Sequence, residues 1–389
     1  MSVSQNFTDI RPTLNLNFAR SKTLDPRITF ERASIGTYVD ENGLIKTAAA
    51  DEARFDHDPE TGESLGLLIE EARTNYYTTS ETMTLGRLFL SSQWTWTSFT
   101  EGGPQGGSYM RWERIGVTAS PEWNYSIDYN NTGLSIGDKF VVTFYARCPN
   151  GTLDSIRISN PDQESEAFNI DSQWRKFTKV FTYGIQSGLT FFRFNRAYTP
   201  AYVIGTTYDI ACLQIEKYEF PTSYIPTSGS AVTRSPDSVL ISPSGWWNYS
   251  KGTVYAEFKG GLESQQNGYG RIWSPSGAAA LSAQISHVNN NKFSIWFGGS
   301  APKITSQDHL NSFGKIAVSY SNNGTSADIV MGSYPVTTTG TTNQLPNTTT
   351  PHGIGKNAVS NTNMLNGYIK KLVYYPEVLT SSQLQNLTK

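Results

Sequence analysis

The sequence predicts an all-β protein, and two observations support this prediction. The chain contains 21 Tyr, 19 Phe and 9 Trp, and aromatic residues are enriched in strands. Thr, Ser, Asn and Gly recur between short alternating apolar runs, which indicates turns rather than long helices. With 389 residues, of which 37% are hydrophobic, the chain is long enough for two or three packed domains.

Residues 1–75 are predicted to form a block of short strands and turns. The runs at residues 14–18 and 28–30 alternate as half-buried strands do. The phrase Glu41-Asn42-Gly43 supplies a hairpin turn between two short apolar pairs. The block is rich in turns and charge but has no catalytic spacing of side chains, so we interpret it as an adaptor.

An acidic turn follows within the same block. Asp56, Asp58 and Glu60 stand at alternate positions, and oxygen ligands in such an arrangement suit Ca²⁺. The distal glutamate and central glycine of an EF-hand are missing, so a solvated turn is favoured and no metal site is predicted. The apolar run at residues 65–69 is predicted to be buried.

Residues 11–75 resemble, over nearly their whole length, the N-terminal segment of a family of tailed-phage structural proteins. The phrases ITFERASIGTYVDENGLI and LGLLIEEARTN carry the resemblance. It implies a virion component that is tail-fibre-like, baseplate-associated or capsid-decorating, with attached β-sandwich modules. It also implies that other virion proteins bind this block and that the chain is a homo-oligomer in the particle.

Residues 76–220 are predicted to form one antiparallel β-sandwich. The clearest strands lie at residues 139–147, 155–158, 174–181, 190–194 and 208–216. Their order is similar to that of jelly rolls resembling carbohydrate-binding modules, and the closing segment at residues 214–237 resembles the end of such modules in phage proteins. The resemblance implies the fold and not the binding activity, because a fold does not fix function.

Residues 221–238 are predicted to be an ordered connector. Pro221 and Pro226 enforce extended geometry on this stretch. Tyr224 and Ile225 lie between the two prolines and indicate a strap packed on a neighbouring domain. A flexible linker is the alternative.

Residues 239–389 are predicted to form a second antiparallel sandwich, with strands at residues 252–260, 293–297 and 315–320. Near the C-terminus, a strand ends at a proline and a short helix follows, for which Thr380 is the expected N-cap and Gln383 its capping-box partner. This ending resembles that of concanavalin A-like, laminin-G-like sandwiches. The family includes lectins, glycan hydrolases and structural modules.

The sequence offers no convincing active site, and we predict that the chain is not an enzyme and needs no cofactor. Glucanases of the concanavalin-like fold carry the phrase E-x-D-x-x-E on one strand, as paired acid and base; here Glu257 is the only acid of its strand. The four histidines, His57, His287, His309 and His352, lack the spacing of a zinc site. Nucleophile-elbow, P-loop and dinucleotide phrases are also missing.

Two aromatic clusters are candidates for a glycan platform, because a sugar ring presents an apolar face that stacks on aromatic side chains. The candidate residues are Trp246, Trp247, Tyr249, Trp94 and Trp96. Trp94 and Trp96 are expected to share one face of a strand. Adjacent rings on a strand point to opposite sides, so at most one of Trp246 and Trp247 is expected in a core. Core or interface packing of these rings is the alternative, since a Trp buries a large apolar area.

Charge and hydropathy exclude two classes of partner. Lys and Arg total 31 against 33 Asp and Glu, and no basic stripe is present, so nucleic acid is not expected as a partner. No apolar run reaches the length of a spanning helix, so no membrane insertion is expected. Residues 1–6 lack the pattern of a signal peptide, and we expect assembly in the host cytoplasm and localisation to the virion.

Two further features leave alternatives open. Cys148 and Cys212 each lie in an apolar strand-like run, where buried free thiols are favoured, although strand cysteines that face each other can pair. The Thr-rich tract at residues 337–350 is either a solvated loop or one edge of a binding site.

The sequence therefore predicts a non-enzymatic virion protein that docks through the residues before Asn75 and presents two sandwiches to host-surface glycans. A capsid-decoration or baseplate protein without sugar binding is the second hypothesis. A hydrolase acting on surface polysaccharide is the third.

Overall fold

A computed structural model of the chain describes residues 10–83, 87–89, 94–116, 124–128, 133–150, 154–160, 165–184, 191–196, 204–260, 269–275, 283–288, 292–297, 303–304, 313–323, 326–333, 336–343 and 349–389. Within these ranges the protein is all-β, as predicted, with antiparallel strands and two short helices. No helix in the described part of the chain is long and apolar enough to cross a membrane.

The first segment contains seven short strands. They and the first helix are β1 (Leu14–Asn17), α1 (Phe18–Ser21), β2 (Ile28–Glu31), β3 (Gly36–Val39), β4 (Ile45–Ala48), β5 (Phe55–His57), β6 (Ser64–Ile69) and β7 (Arg73–Asn75). Strands β3 and β4 form the predicted hairpin. Its turn closes through Gly43, whose φ of 77° is accessible to glycine without steric cost.

The middle segment forms two five-stranded sheets. Its strands are β8 (Arg87–Phe89), β9 (Trp94–Phe99), β10 (Tyr109–Arg114), β11 (Asn124–Asp128), β12 (Lys139–Arg147), β13 (Asp154–Ser159), β14 (Ser165–Ile170), β15 (Arg175–Thr182), β16 (Phe191–Arg196) and β17 (Thr207–Lys217). One sheet, which we call the front sheet, has the order β15-β12-β17-β10-β9, and the other has the order β14-β13-β16-β11-β8. Both contribute apolar side chains to one core, including Trp112, Phe144 and Ile156, so this segment is a β-sandwich, the middle sandwich.

The last segment contains twelve strands and the second helix. They are β18 (Val232–Arg234), β19 (Ser238–Ile241), β20 (Lys251–Lys259), β21 (Tyr269–Ser274), β22 (Ala283–Val288), β23 (Lys292–Phe297), β24 (Lys303–Ile304), β25 (Gly314–Asn322), β26 (Ser326–Ser333), β27 (Val336–Asn343), β28 (His352–Ile354), β29 (Gly367–Tyr375) and α2 (Ser381–Thr388). Helix α2 has the predicted capping box between Thr380 and Gln383.

The strands of the first segment complete the sheets of the last one. An eight-stranded sheet has the order β27-β26-β25-β20-β29-β6-β5, with β1 also beside β29. The facing seven-stranded sheet has the order β2-β19-β28-β21-β22-β23-β24. The predicted division at residue 75 therefore differs from the strand pairing: residues 14–75 are not a separate block but part of this outer sandwich, and the middle sandwich is inserted into it.

The outer sandwich has one apolar core that residues from both ends of the chain share. Leu14 and Leu67 from the first segment pack with Val254, Ile316 and Leu372 from the last. Apolar side chains from strands more than three hundred residues apart in the sequence thus face the same interior. Burial of this surface is the main favourable contribution to folding. Strands β7 and β18 pair at the point where the chain leaves and re-enters this sandwich.

A buried ion cluster fixes that crossing point. The Arg54 guanidinium donates to Asp237 Oδ2 at 2.6 Å and lies 2.8 Å from Glu70 Oε2. Arg32 Nη1 donates to the other oxygen of Asp237 at 3.1 Å. The Asp237 backbone N–H in turn donates to the Glu70 carbonyl at 3.0 Å. The side chains of Arg32, Arg54 and Asp237 are fully buried and that of Glu70 is nearly so, and each charge therefore depends on its partners for solvation.

Glu70 links this cluster to the connector. Both the backbone N–H and the hydroxyl of Ser223 donate to the Glu70 carboxylate at 2.7 Å. Burial alone would raise the pKa of Glu70, but the charges of Arg234 and Arg54 outweigh it and hold the pKa at about 2. The connector is therefore attached to a carboxylate that stays ionised.

The remainder of the connector packs on the middle sandwich. Tyr224 and Ile225 are buried. The Tyr224 hydroxyl donates to Ser80 Oγ at 2.8 Å, and the Ile225 N–H donates to Gln214 Oε1 at 2.6 Å. The connector is thus a strap across the base of the front sheet.

The two cysteines are free and buried. Cys148 belongs to the core of the middle sandwich, whereas Cys212 lies in a separate cluster on the opposite face of the front sheet. The alternative of a disulfide between facing cysteines therefore does not apply. In the Thr-rich tract, residues 336–343 form strand β27 rather than a loop, and residues 344–348 lie outside the described ranges.

The ion cluster makes Asp237 a sensitive position. The substitution Asp237→Asn keeps the side-chain shape but leaves Arg32 and Arg54 without their shared counter-charge, so we expect a loss of about 3 to 5 kcal/mol in the free energy of unfolding. Urea denaturation measures it. The matched control, Asp25→Asn, removes the partly exposed pair with Arg27 and is expected to cost at most about 1 kcal/mol. Equal small losses in both variants would contradict the role of the cluster.

Buried His352 predicts an acid-sensitive core. Burial lowers its pKa from the usual 6.5 to about 3, so between pH 6.5 and pH 3 His352 is protonated in the unfolded chain but not in the folded one. Its contribution to the free energy of unfolding is complete above pH 6.5. The contribution falls by about 1.4 kcal/mol per pH unit as the pH decreases towards 3. Urea denaturation of His352→Phe between pH 7 and pH 4 is expected to show a shallower loss than the parent chain. Identical pH profiles would contradict the assignment.

Candidate functional site

The structure places Trp246 in the core of the outer sandwich and Trp247 partly buried against that core. Trp246 is 4% exposed, and its Nε1 donates to Ser242 O at 2.6 Å. The Trp247 ring stacks on Tyr320 with a centroid distance of 5.3 Å and lies 5.2 Å from the Trp273 ring. The Trp246 ring is therefore buried, and the Trp247 ring is largely occupied by its aromatic neighbours.

Both rings enter one core because the residues do not lie on a strand. The N–H groups of Trp246 and Trp247 approach Pro243 O at 3.5 and 3.1 Å, as in a helical turn. Successive side chains in a turn diverge less than on a strand, where they point to opposite sides. Both rings therefore contact one core, but only Trp246 is buried in it, while Trp247 is partly buried against it.

The other three platform candidates are divided between the two sandwiches. Tyr249 is half-buried, and its carbonyl accepts from the Asn322 side chain at 2.5 Å. Trp94 is 4% exposed in the middle sandwich core, whereas Trp96 on the same edge strand is 41% exposed. The five predicted residues do not form one surface, and Trp96 is the one with a largely exposed ring.

The structure instead brings together a cluster of aromatic and charged side chains on the outer face of the front sheet. We call it the aromatic–arginine patch. Its members are Phe99, Tyr109, Arg111, Arg147, Trp174 and Asp209.

The alternation of the strands explains why these side chains share a face. In β12, Phe144 and Ala146 point into the core of the sandwich, so Tyr145 and Arg147 point outwards. Arg147 is directly opposite Asp209 in β17, and Asp209 is opposite Arg111 in β10. Three neighbouring strands thus place three charged residues in one row.

Asp209 organises the charges of the patch. Its carboxylate is fully buried and accepts from Arg111 Nε at 2.6 Å and Nη2 at 2.8 Å. Arg147 Nε donates to the same carboxylate at 2.8 Å. The hydrogen bond with Asp209 is the largest cause of the raised pKa of Arg111. Two guanidinium groups share one carboxylate, so the row retains a positive charge.

The aromatic members form a stack beside this row. The Phe99 and Tyr109 rings are stacked with centroids 4.7 Å apart, and the Tyr109 ring meets the Trp174 ring edge to face at 5.6 Å. Arg147 Cζ lies 4.4 Å from the Trp174 centroid, a distance at which a cation is attracted to the ring. Trp174 Nε1 donates to Gly102 O at 3.0 Å, which fixes the ring orientation.

The patch has unused binding capacity. Phe99 and Trp174 are half-buried and keep part of their rings in contact with solvent. Arg147 is also half-buried, and its two Nη atoms make no hydrogen bond to the residues that the structure describes. An apolar ring surface beside free donors that are held in place is the combination by which proteins bind sugars, since small-ligand sites pair apolar walls with a few oriented polar groups.

Sequence reasoning missed most of this patch. The alternation of β12 is the signal that gives the outward phase of Tyr145 and Arg147. A second signal was Asp209, a charged residue within the apolar run of β17. A buried carboxylate of this kind needs a cationic partner, but the sequence does not show which arginine is adjacent.

Other candidate chemistry is not assembled among the described residues. Asp58 accepts from the N–H groups of Glu60 and Thr61 and so closes the acidic turn, while Asp56 is buried. No group of three or more His, Cys, Asp or Glu side chains in the described ranges could hold a metal ion. The side chains of His287 and His309 lie outside the described residues.

Comparisons with known proteins identify no family for the chain. No protein-family model matches it, and no curated protein matches it significantly. Among solved structures, a tandem CBM22 domain of Xyn10C from Paenibacillus barcinonensis has 9% identity and a TM-score of 0.28, covering 80% of this chain and 92% of that one. A candidate sugar-binding protein from Bacteroides thetaiotaomicron has 12% identity and a TM-score of 0.24, covering 37% and 94%.

A sialidase from Trypanosoma rangeli, in complex with the inhibitor DANA, has 10% identity and a TM-score of 0.27, covering 76% of this chain and 53% of that one. Identities and TM-scores this low assign no function to this chain. Its candidate site is therefore identified from the geometry of this structure alone.

The different burial of the tryptophans predicts that two substitutions lower the free energy of unfolding by different amounts. Trp247→Ala removes a partly buried ring that packs against the core and is expected to lower the free energy of unfolding by about 2 to 4 kcal/mol. Trp96→Ala removes a largely exposed ring and is expected to cost less than about 1 kcal/mol. Urea denaturation of the two variants measures both values. Comparable losses would contradict the placement of Trp247.

Proposed function

We propose that this chain is a non-enzymatic glycan-binding protein whose binding surface is the aromatic–arginine patch of the middle sandwich. The observation that carries the proposal is the Trp174 ring beside Arg147, whose Nη atoms have no hydrogen-bond partner within the described ranges while Asp209 binds the Nε of the same guanidinium. Such a pair offers an apolar face to a sugar ring and oriented donors to its oxygens. Binding to this pair loses little side-chain entropy, because the ion pair with Asp209 already holds Arg147 in place.

We further propose that the protein acts on a phage particle, as a tail- or fibre-associated component that adheres to host-surface glycans. This part rests on the resemblance of the phrases ITFERASIGTYVDENGLI and LGLLIEEARTN to tailed-phage structural proteins. The strands of that segment belong to the outer sandwich, so docking on the particle would use the exposed surface of this sandwich rather than a separate block.

Glycan-array binding of the full chain tests the binding function. We expect binding to one group of glycans, reduced about tenfold or more by Trp174→Ala, since loss of a central aromatic contact costs about 1.4 kcal/mol or more. Arg147→Met keeps the aliphatic stem of the side chain and removes the donors, and it is expected to reduce binding comparably.

Trp96→Ala is the matched control, because it removes an exposed tryptophan of the same sandwich outside the patch. It is expected to bind as the parent chain does. Unchanged unfolding midpoints separate lost binding from lost structure. A parent chain that binds no glycan would overturn the proposal in favour of a purely structural virion protein, and release of sugar from a bound glycan would overturn the non-enzymatic assignment.

A further inference from the structure

A cavity lies between the two sandwiches, and neither Trp174 nor Arg147 of the aromatic–arginine patch lines it. Its volume is about 320 Å³, which is within the range of small-molecule sites, roughly 300 Å³ and above. Tyr145 and Lys176 of the middle sandwich form one wall, and Tyr38, His57 and Lys259 of the outer sandwich line the opposite side.

Several polar groups of this cavity have no partner. Tyr145 is only 5% exposed, and its hydroxyl makes no hydrogen bond to the residues that the structure describes. The hydroxyl of Tyr38 and the ammonium of Lys259 likewise make none within the described ranges. Lys176 Nζ has one long contact, with Thr222 O at 3.5 Å. Of these four residues only Tyr145 is buried, whereas Tyr38 and Lys259 are half-buried and Lys176 is exposed. A buried hydroxyl without a partner is rare in native proteins, and the hydroxyl of Tyr145 belongs to a residue that lines an open volume.

The carboxylates beside the cavity are already engaged. Asp56 accepts from the N–H of Val39 at 2.5 Å and from the Tyr368 hydroxyl at 3.0 Å. Glu70 is paired with Arg54. No carboxylate in the described ranges forms an ion pair with Lys176 or Lys259, although the charge of Lys259 acts on Asp58. The two ammonium groups therefore remain able to bind a carboxylate of a ligand.

One lining residue is a buried histidine. His57 is 3% exposed, and its Nδ1 lies 3.0 Å from Val39 O, an oxygen that can only accept. Its Nε2 has no hydrogen-bond partner among the described residues. The lining of the cavity thus includes a histidine, the two tyrosines Tyr38 and Tyr145, and two lysines.

We propose that this cavity is a second saccharide site, which takes a sugar unit that bears a carboxylate. The carboxylate binds Lys176 and Lys259, the hydroxyls of the sugar bind Tyr145 and its neighbours, and the apolar face of the ring packs on the tyrosines. The ligand class rests on the proposed function, but the site does not. Tyr145 and Lys176 lie on the same sheet face as the patch, one alternate position from Arg147 and Trp174, so one acidic glycan chain that follows this face reaches both sites.

Ligand-observed NMR on the full chain tests the proposal, with D-glucuronic acid and D-glucose as probes. We expect D-glucuronic acid to bind, with D-glucose about tenfold weaker because it lacks the charge. Lys176→Met and Tyr145→Phe are expected to reduce D-glucuronic acid binding about tenfold with unchanged unfolding midpoints. Lys139→Met, an exposed position on β12 outside the cavity, is the control and is expected to have no effect.

The two proposals fail separately. Trp174→Ala is expected to keep D-glucuronic acid binding in the cavity while it loses binding on the array. Equal binding of both sugars, or full D-glucuronic acid binding in Lys176→Met and Tyr145→Phe, would overturn the cavity site alone. Array binding that persists in Trp174→Ala but is lost in Lys176→Met would overturn the patch and support the cavity.

Discussion

The buried cluster of Arg54, Glu70 and Asp237 is the constraint on which the architecture depends. It joins strands from both ends of the chain at the point where the middle sandwich is inserted, and Ser223 attaches the connector to it. A buried ion cluster of this kind is a poor source of stability but is costly to disrupt, because an unpaired charge would remain without water. Its role is to fix how the chain crosses between the two sandwiches.

This fixed crossing sets what the front sheet presents to solvent. The connector covers the base of the sheet, and the β3–β4 hairpin reaches its face, where the Ile45 N–H donates to Pro104 O. Trp174 and Arg147 lie on the part of this face that the outer sandwich does not cover, and Asp209 binds Arg147 there. The cavity beside Tyr145 lies where the outer sandwich covers the face. Both candidate sites thus follow from one sheet and from the way the outer sandwich packs against it.

Local features of this fold were predictable from the sequence, whereas pairing between distant segments was not. Alternation and capping signals predicted β12 and the Thr380 cap of α2, because these depend on neighbouring residues. The pairing of β1 with β29 spans the whole chain, and no local pattern encodes it. The platform residues Trp246 and Trp247 show the same limit: the sequence identified two large rings, but the turn that directs both of them towards one core was not predicted.

The most direct measurement of the central claim is a crystal structure of the full chain with a glycan that it binds. Glycan binding through the aromatic–arginine patch predicts electron density for a sugar ring against Trp174, with its oxygens within hydrogen-bond distance of the Arg147 Nη atoms. Density for the glycan on the outer sandwich alone, with the patch in contact with solvent, would contradict the claim.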